Sequence, residues 1–523
     1  MATRLLQSKL LLHNNLRRHL TSASSSSTFT AVPPLNITQK TEPTTTAIET
    51  ERAKPNNSII DINDHQKLFG LLSTSKLLRA AFNLHLAAIE SIVDLGTWVM
   101  NSKMMEMELA RDVVLGTVKH TFYEHFCAGE SAAEVRRCVG KLNEAGLRAM
   151  LVYAVEHTND KTECQQNLQG FLQTVQSVKS LPPSSVRFHL IFSFLFVQVF
   201  IYLFIYSAWI NSLFLVSSVI VKISAICPMS LLERVSDLLR WQQKDPSLNL
   251  PWKLNTFPIF SDCSPLYHTQ KKPDPLTPEE ETELQLGHER LLKLCQECVD
   301  ANVPLAVDAE DTLIQPAIDY MTYSSAILYN RDDRPIVYNT MQAYLKDAKE
   351  RLFLATKDAE KMKVPMGFKL VRGAYMSSET KFASSLGCES PIHNTIQDTH
   401  ACYNDCASLM LEKIANGSSA VVLATHNVES GQLAAAKAKE LGIDKGNEKL
   451  EFAQLYGMSE ALSFGIRNAG FQVSKYMPFG PVEMIIPYLL RRAEENRGFL
   501  STSNHDRLLI RKELNRRLKA VIF

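Results

Sequence analysis

Two hydrophobic periods divide the chain. From Asp61 to about Ser177, apolar residues recur at three- and four-residue spacing (Leu68, Leu71, Leu72, Leu77, Leu78, Ala81, Leu84), the pattern of helices with one buried face. Inside that region a second pattern begins, in which short β-branched runs alternate with helical stretches. Eight such runs stand at 148–155, 219–226, 304–308, 336–340, 368–371, 421–424, 449–452 and 472–476, and amphipathic stretches at 341–356, 431–441 and 459–468 follow three of them. Eight parallel strands separated by helices predict an α/β fold, a (β/α)8 TIM-type barrel with an N-terminal helical region. A doubly wound open sheet is the alternative, but neither G-x-G-x-x-G nor a G-x-x-x-x-G-K phosphate loop occurs.

Two segments break the alternation. Residues 228–290 form an insertion after strand 2, with Trp241, Trp252 and a proline cluster at 273–278. Residues 188–221 contain no Lys, Arg, Asp or Glu, and their 34 residues exceed one bilayer crossing. The barrel argues against a membrane span there. A single crossing would put strand 1 on the far side of the membrane from strands 2 to 8, and two crossings need about 40 apolar residues and a turn.

Composition adds a compartment. The first 41 residues hold Arg4, Lys9, Arg17, Arg18 and Lys40 but no acid, and a leucine-rich basic stretch leads into the run Ser22 to Ser27. That is the composition of an organelle transit peptide, with the early arginines favouring the mitochondrion; a plain disordered tail is the alternative. Without residues 1–41 the net charge of +1 becomes −4, which gives no hint of nucleic-acid binding. Residues 42–145 are expected to be a disordered linker and the helical region, and 146–523 the catalytic barrel. Ten cysteines in 523 residues are too sparse for a disulfide scaffold. Cys295 and Cys298 form a lone C-x-x-C with no second pair at zinc spacing, so no metal site is expected.

Chemistry is expected where strands end. Lys222 lies on strand 2, Asp308 and Glu310 end strand 3, Gln342 follows strand 4, and Lys369-Leu-Val-Arg372-Gly-Ala-Tyr375 runs out of strand 5. Thr425-His426-Asn427 ends strand 6, Gln454-Leu-Tyr456 ends strand 7, and Tyr476 ends strand 8. Any one has a dull explanation, Lys222 as an edge lysine or His426 as a loop histidine. Seven polar strand ends on one rim are harder to attribute to chance. Beyond Tyr476-Met-Pro-Phe-Gly-Pro, an apolar helix carries Tyr488, Arg491, Arg492 and Glu495 at i, i+3, i+4 and i+7, hence on one face. Paired guanidinium groups suit a carboxylate or phosphate; a surface helix end with an Arg–Glu pair is the plainer account. His426 lacks a second metal ligand at helical spacing, and no serine elbow occurs. Two chemistries stay open: a Schiff base on a barrel lysine, or redox work by a bound cofactor. Gly373-Ala374, which allow close backbone approach to a diphosphate, favour the second. A membrane-anchored, non-catalytic protein is the third reading.

The motifs Lys-Leu-Val-Arg-Gly-Ala-Tyr375, Ala-Thr-His-Asn427, Glu-Phe-Ala-Gln-Leu-Tyr-Gly-Met458 and Tyr476-Met-Pro-Phe-Gly with Arg491-Arg492-x-x-Glu495 resemble the proline dehydrogenase family, most closely its plant mitochondrial members. The resemblance spans roughly residues 60–520. It implies a distorted (β/α)8 barrel that binds FAD without a Rossmann domain. The implied activity is FAD-dependent oxidation of L-proline to Δ1-pyrroline-5-carboxylate by hydride transfer to flavin N5, the first step of proline catabolism to glutamate. Electrons would pass to a membrane quinone, on the matrix side of the inner mitochondrial membrane and in peripheral association with it. By the same resemblance Arg491, Arg492 and Lys222 hold the proline carboxylate, Tyr476 and Leu455 pack on the ring, and Asp308 and Glu495 hold the arginines. Gln342 and Lys369 contact the isoalloxazine, while Arg372, Gly373, Ala374, Tyr375, Thr425 and His426 line the rest of the cofactor. Tyr476 over the ring implies unsubstituted proline rather than 4-hydroxyproline. The chain departs from related bacterial forms in having Lys369 where arginine is usual and Arg372 where lysine is usual.

The apolar segment then has an explanation outside the fold. Phe188, Phe192, Phe194, Phe196, Phe200, Phe204 and Phe214 are seven of 24 phenylalanines, set among Ile, Leu, Val, Tyr and Ser. These are the amino acids of uridine-rich codons, and plant introns are uridine-rich. Residues 187–216 are therefore expected to be the translation of a retained intron, whose removal joins Val186 to Ser217.

Overall fold

The computed structural model describes residues 59–100, 102–179, 216–417, 419–496 and 500–522, with side chains other than those of 491–503 and 522. Two compact units divide the chain. The described part of the smaller is 99–100 and 102–112, where Ser102 caps the 3-10 helix Lys103–Glu106 by accepting from the Met104 N–H at 3.3 Å. The larger is Ser58–Trp98 with Val113–Phe523, and it contains every described strand.

The eight strands are β1 (Arg148–Tyr153), β2 (Val216–Val221), β3 (Leu305–Val307), β4 (Val337–Gln342), β5 (Met366–Val371), β6 (Ser419–Ala424), β7 (Leu450–Leu455) and β8 (Gln472–Phe479). All neighbours are parallel, and β8 pairs with β1 to close the barrel. Side chains alternate between two cores, as the two-residue period of a strand requires. Met150, Val152, Ile220, Ala306, Tyr338, Ala420, Val422 and Ala453 fill the interior, with Tyr476 against them. Their neighbours in sequence, such as Leu151, Val219, Val221, Leu423 and Phe452, pack under the helices. Gly367 makes the interior possible: a Cβ there would stand 2.5 Å from the Tyr338 ring. Two steps along the strand from Ile220, Ala306 and Ala453 stand Lys222, Asp308 and Leu455, so the interior period itself aims these side chains at the barrel mouth.

Three expectations need correction. Strand 2 ends at Val221, not at 226, because Ile223–Ala225 turns into a 3-10 helix. That turn is held by Glu310, which accepts the Ser224 N–H at 3.2 Å and the Ser224 hydroxyl at 2.6 Å. The helix expected from residue 341 begins at Ala348, because Met341 and Gln342 pair with Leu370 and Val371 of β5. The insertion at 228–290 is nearly half helical, in Met229–Lys244 and the first half of Pro278–Asp300, with 245–277 irregular between them. The second helix starts on a capping box between Thr277 and Glu280, with Pro278 at its first position.

The helix Leu500–Ile522 returns to the first described one, His65–Phe69. The fully covered Glu513 accepts from His65, Arg516 and Arg517, and Arg517 donates onward to the carbonyls of Phe69 and Leu72. No described helix is long and apolar enough to cross a membrane, and residues 187–215 of the expected intron stretch 187–216 lie outside the described residues. Val216, the last residue of the stretch 187–216, pairs with Ala149 as the first residue of β2. Val186 would supply the same side chain in its place if 187–216 were removed.

Candidate active site

The mouth of the barrel is organised around one carboxylate. Asp308, just past β3, accepts from the Lys369 amine on one oxygen and from the Tyr476 hydroxyl at 2.7 Å on the other. Lys222 Nζ lies 3.7 Å from that second oxygen, 3.5 Å from Glu156 and 3.5 Å from the Tyr375 hydroxyl, to which it donates. Lys369 also sits 5.3 Å from the Tyr476 ring centroid. Five residues assigned from sequence, Lys222, Asp308, Lys369, Tyr375 and Tyr476, therefore converge, contributed by β2, β3, β5 and β8 or the turns that follow them.

Charges are settled by neighbours rather than by burial. Burial disfavours the charged Lys222, yet Tyr375, Glu156, Asp308 and Glu310 outweigh it and raise its pKa. Burial likewise opposes ionisation of Asp308, and Lys369 and Lys222 still hold it below the ordinary carboxylate value. Glu310, fully buried, is depressed in the same way by His157 and Lys222 against the cost of burial. The amine is thus an ammonium facing anions, not a free nucleophile.

A second cluster lies beyond β5. Arg372 donates to His400 Nδ1 at 3.0 Å, to the Thr425 hydroxyl at 2.7 Å and to the Ser430 hydroxyl at 2.8 Å, and it stacks 4.4 Å over Tyr403. Among the described residues no carboxylate pairs with it, and burial lowers its pKa. Thr425 leads into the helix Val428–Glu440, capped by Asn427, whose side chain accepts the Ser430 N–H at 2.7 Å. A fixed guanidinium beside a helix N-terminus suits a phosphate. Gly373 has φ +147°, and a Cβ there would stand 2.5 Å from the Tyr344 ring. Only glycine meets both demands, which leaves exposed backbone beside the guanidinium. Ala374 follows it, half-buried. This donor set fits a dinucleotide cofactor's diphosphate.

The remaining assignments are placed as follows. Gln342 is buried and donates to the Glu310 carbonyl at 2.8 Å, bracing the turn after β3. Leu455 is half-buried at the end of β7, and its N–H donates to His426 Nε2 at 3.0 Å. Arg491, Arg492 and Glu495 belong to the helix Val482–Asn496, but their side chains lie outside those described. Tyr488 of the same helix stacks on Tyr476 with centroids 6.5 Å apart.

Sequence reasoning missed Glu156, His157, Ser224, His400, Tyr403 and Ser430. Glu156 and His157 follow β1, the one strand end given no polar residue. The signal was present: Glu156-His157 directly follows the apolar run 148–155. His157 holds a left-handed backbone, φ 57°, and reaches Glu310 with Nε2 at 3.2 Å. His400, Tyr403 and Ser430 come from helices, which a search of strand ends does not reach.

Comparison with known proteins decides the family. The description "Proline dehydrogenase" matches residues 135–505. Proline dehydrogenase 1, mitochondrial, of Arabidopsis thaliana is 58% identical over 466 residues, covering 88% of this chain and 87% of that one. The chain belongs to the proline dehydrogenase family. Proline dehydrogenase 2, mitochondrial, of the same plant is also 58% identical, over 88% of this chain and 91% of its own length. Among solved structures, proline utilization A from Bdellovibrio bacteriovorus inactivated by N-propargylglycine shares the fold. It has a TM-score of 0.54 at 20% identity, covering 83% of this chain and 38% of the bacterial one. Family membership makes the chain an oxidoreductase.

Proposed function

We propose that this member of the proline dehydrogenase family oxidises L-proline to Δ1-pyrroline-5-carboxylate with FAD, in the mitochondrion. The observation that carries the reading is the convergence of Lys222, Asp308, Lys369, Tyr375 and Tyr476 above an apolar barrel floor. A proline fits that frame: its carboxylate meets the Lys222 ammonium and the guanidinium groups of Arg491 and Arg492, while Tyr476 and Leu455 flank its ring. Each charge-assisted bond to the carboxylate contributes about 1.5–3 kcal/mol. Glu495 and Asp308 balance the cations so that the substrate adds a single anion. Arg372, Gly373, Ala374, Tyr375, Thr425 and His426 would hold FAD along the outer turns, with Lys369 and Gln342 towards its reactive ring. When bound, FAD supplies the acceptor for the hydride that leaves the proline ring. The protein's part is orientation, which needs no nucleophile.

The Schiff-base reading requires a neutral lysine. Lys222, hemmed by Glu156, Asp308 and Tyr375, is held charged, and that disfavours it. Electrons are expected to leave to a membrane quinone, with the protein on the matrix face of the inner membrane after loss of residues 1–41. Residues 187–216 are read as retained intron sequence, and 42–145 as linker and helical support for the barrel.

One preparation tests these points together. The full chain and a form lacking 187–216 are purified, and flavin absorbance is followed on adding L-proline. Bleaching in the shortened form, with weaker or no bleaching in the full chain, is expected. A flavin band that proline leaves unchanged in both would overturn the assignment. The spliced transcript is expected to lack these codons; their persistence would refute the intron reading.

A further inference from the structure

One buried carboxylate joins two of the turns that build the site, yet it lies outside the substrate and cofactor clusters. Glu379 sits in the helix Met376–Ser385, one turn beyond Tyr375, whose carbonyl accepts its N–H at 3.0 Å. Its side chain reaches across to the turn after β3. One oxygen accepts the Thr312 N–H at 2.5 Å and the other accepts the Thr312 hydroxyl. Thr312 is four residues past Asp308, and Tyr375 is the partner of Lys222.

Other elements hold the same knot. Arg240 of the helix Met229–Lys244 donates to the carbonyls of Thr312 and Leu313. His268 of the irregular segment 245–277 bonds the Thr312 hydroxyl through Nε2 at 2.8 Å, and its ring stacks on Phe382, 5.0 Å away on the Glu379 helix. Asp311, Tyr267 and Tyr344 also face the carboxyl. Glu379 is only 3% exposed, and an acid so placed, with no lysine or arginine hydrogen-bonded to it among the described residues, is an expensive way to brace a loop. Its two oxygens nevertheless match the two donors of one residue on the neighbouring turn.

We propose that Glu379 is a positioning residue of the proline-oxidising site, locking the turn that carries Asp308 against the turn that carries Tyr375. It acts through Thr312 and touches neither substrate nor cofactor. The proposal rests on the functional reading above. It explains why the two turns that converge on Lys222 keep one spacing although no strand pairing joins β3 to β5.

The test uses the flavin-loaded enzyme and steady-state oxidation of L-proline. Glu379→Ala is expected to lower kcat/KM by about ten- to a hundredfold, the scale on which remote misplacement acts, with flavin content retained. Glu379→Gln, whose amide can accept from the Thr312 N–H and donate to its hydroxyl oxygen, is expected to stay within about threefold of wild type. In an Asp308→Asn background, Glu379→Ala is expected to cost less than about twofold more, because the group it positions is already impaired. Should Glu379→Ala fail to fold, Thr312→Val carries the test with the same expected loss. Wild-type rates in Glu379→Ala or in Thr312→Val would overturn the proposal. So would a Gln variant as impaired as the Ala variant, or full additivity with Asp308→Asn. A wild-type enzyme that leaves proline unoxidised would instead sink the functional reading itself.

Discussion

Removing the Asp308 carboxylate perturbs the site at its most connected point. The group pairs with Lys369, faces Lys222 at 3.7 Å and accepts from the Tyr476 hydroxyl at 2.7 Å. Asp308→Ala leaves Lys369, 3% exposed, with no other carboxylate paired to it among the described residues. Stripping one partner from a buried ion pair costs about 3–5 kcal/mol, and the tyrosine bond adds to that only partly because all three groups share one network. A total near 4 kcal/mol is therefore expected. With an unfolding entropy of about 2.1 cal/mol/K per residue, a chain of this length loses roughly 4 °C in Tm. Asp308→Asn keeps the shape and one acceptor oxygen, and is expected to lose about half as much.

Thermal denaturation followed by circular dichroism measures the stability term, and proline-dependent flavin reduction measures the catalytic one. If half of the 4 kcal/mol appears in substrate positioning, kcat/KM falls by about thirtyfold at 1.4 kcal/mol per decade. The pH dependence supplies an independent check. Asp308 is held below its ordinary pKa of 3.8, so its contribution is complete above that value and disappears as pH falls through the lower folded one. The stability gap between wild type and Asp308→Ala should be flat at neutral pH and should shrink only in stronger acid. An alanine variant with unchanged Tm and kcat/KM within twofold of wild type would refute this account of the site.

Two other perturbations separate cofactor binding from folding. Gly373→Ala places a methyl against the Tyr344 ring at a backbone angle that L-residues avoid; flavin content per polypeptide should drop at least about tenfold, and a normal flavin ratio would contradict the cradle. Asp506 caps the helix Glu460–Asn468 by accepting the N–H groups of Glu460 and Ala461, and burial, with Glu460 nearby, raises its pKa to about 6. The native state then keeps a proton that the unfolded chain releases near pH 3.8, so stability falls as pH rises from about 4 to about 6 and levels off above. Asp506→Asn should abolish that slope in urea titrations run at several pH values, and a slope identical to wild type would show the assignment to be wrong.

The barrel was legible because strand interiors obey a strict alternation, and Ile220, Ala306 and Ala453 mark the phase that brings Lys222, Asp308 and Leu455 to the mouth. Boundaries were less legible where a turn continues the apolar run. Ile223, Ala225 and Ile226 read like strand, yet they turn because Glu310, 84 residues beyond Ile226 in sequence, takes the Ser224 N–H. That bond is tertiary, so no local pattern announces it. The site split in the same way. Residues at strand ends were found by position, whereas His400, Tyr403 and Ser430 are needed only because a half-buried Arg372 must place its donors, a demand visible once the guanidinium has a location.

That demand also explains why the two cations of the strand 5 motif stand in the order Lys369, Arg372. The inner position lies between the Asp308 carboxylate and the face of Tyr476, a space that suits a single point of charge. A planar fork there would have to find acceptors for five donors beside one aspartate. At the outer position the requirements reverse. Three acceptors on two elements and a turn, His400, Thr425 and Ser430, diverge around a flat group stacked on Tyr403. An ammonium on a flexible stem has three donors but neither the plane nor the span to serve all of them. Each cation is thus matched to its surroundings, and the surroundings lie in segments far along the chain from strand 5. An exchange of the two would be conservative in charge and disruptive at both ends.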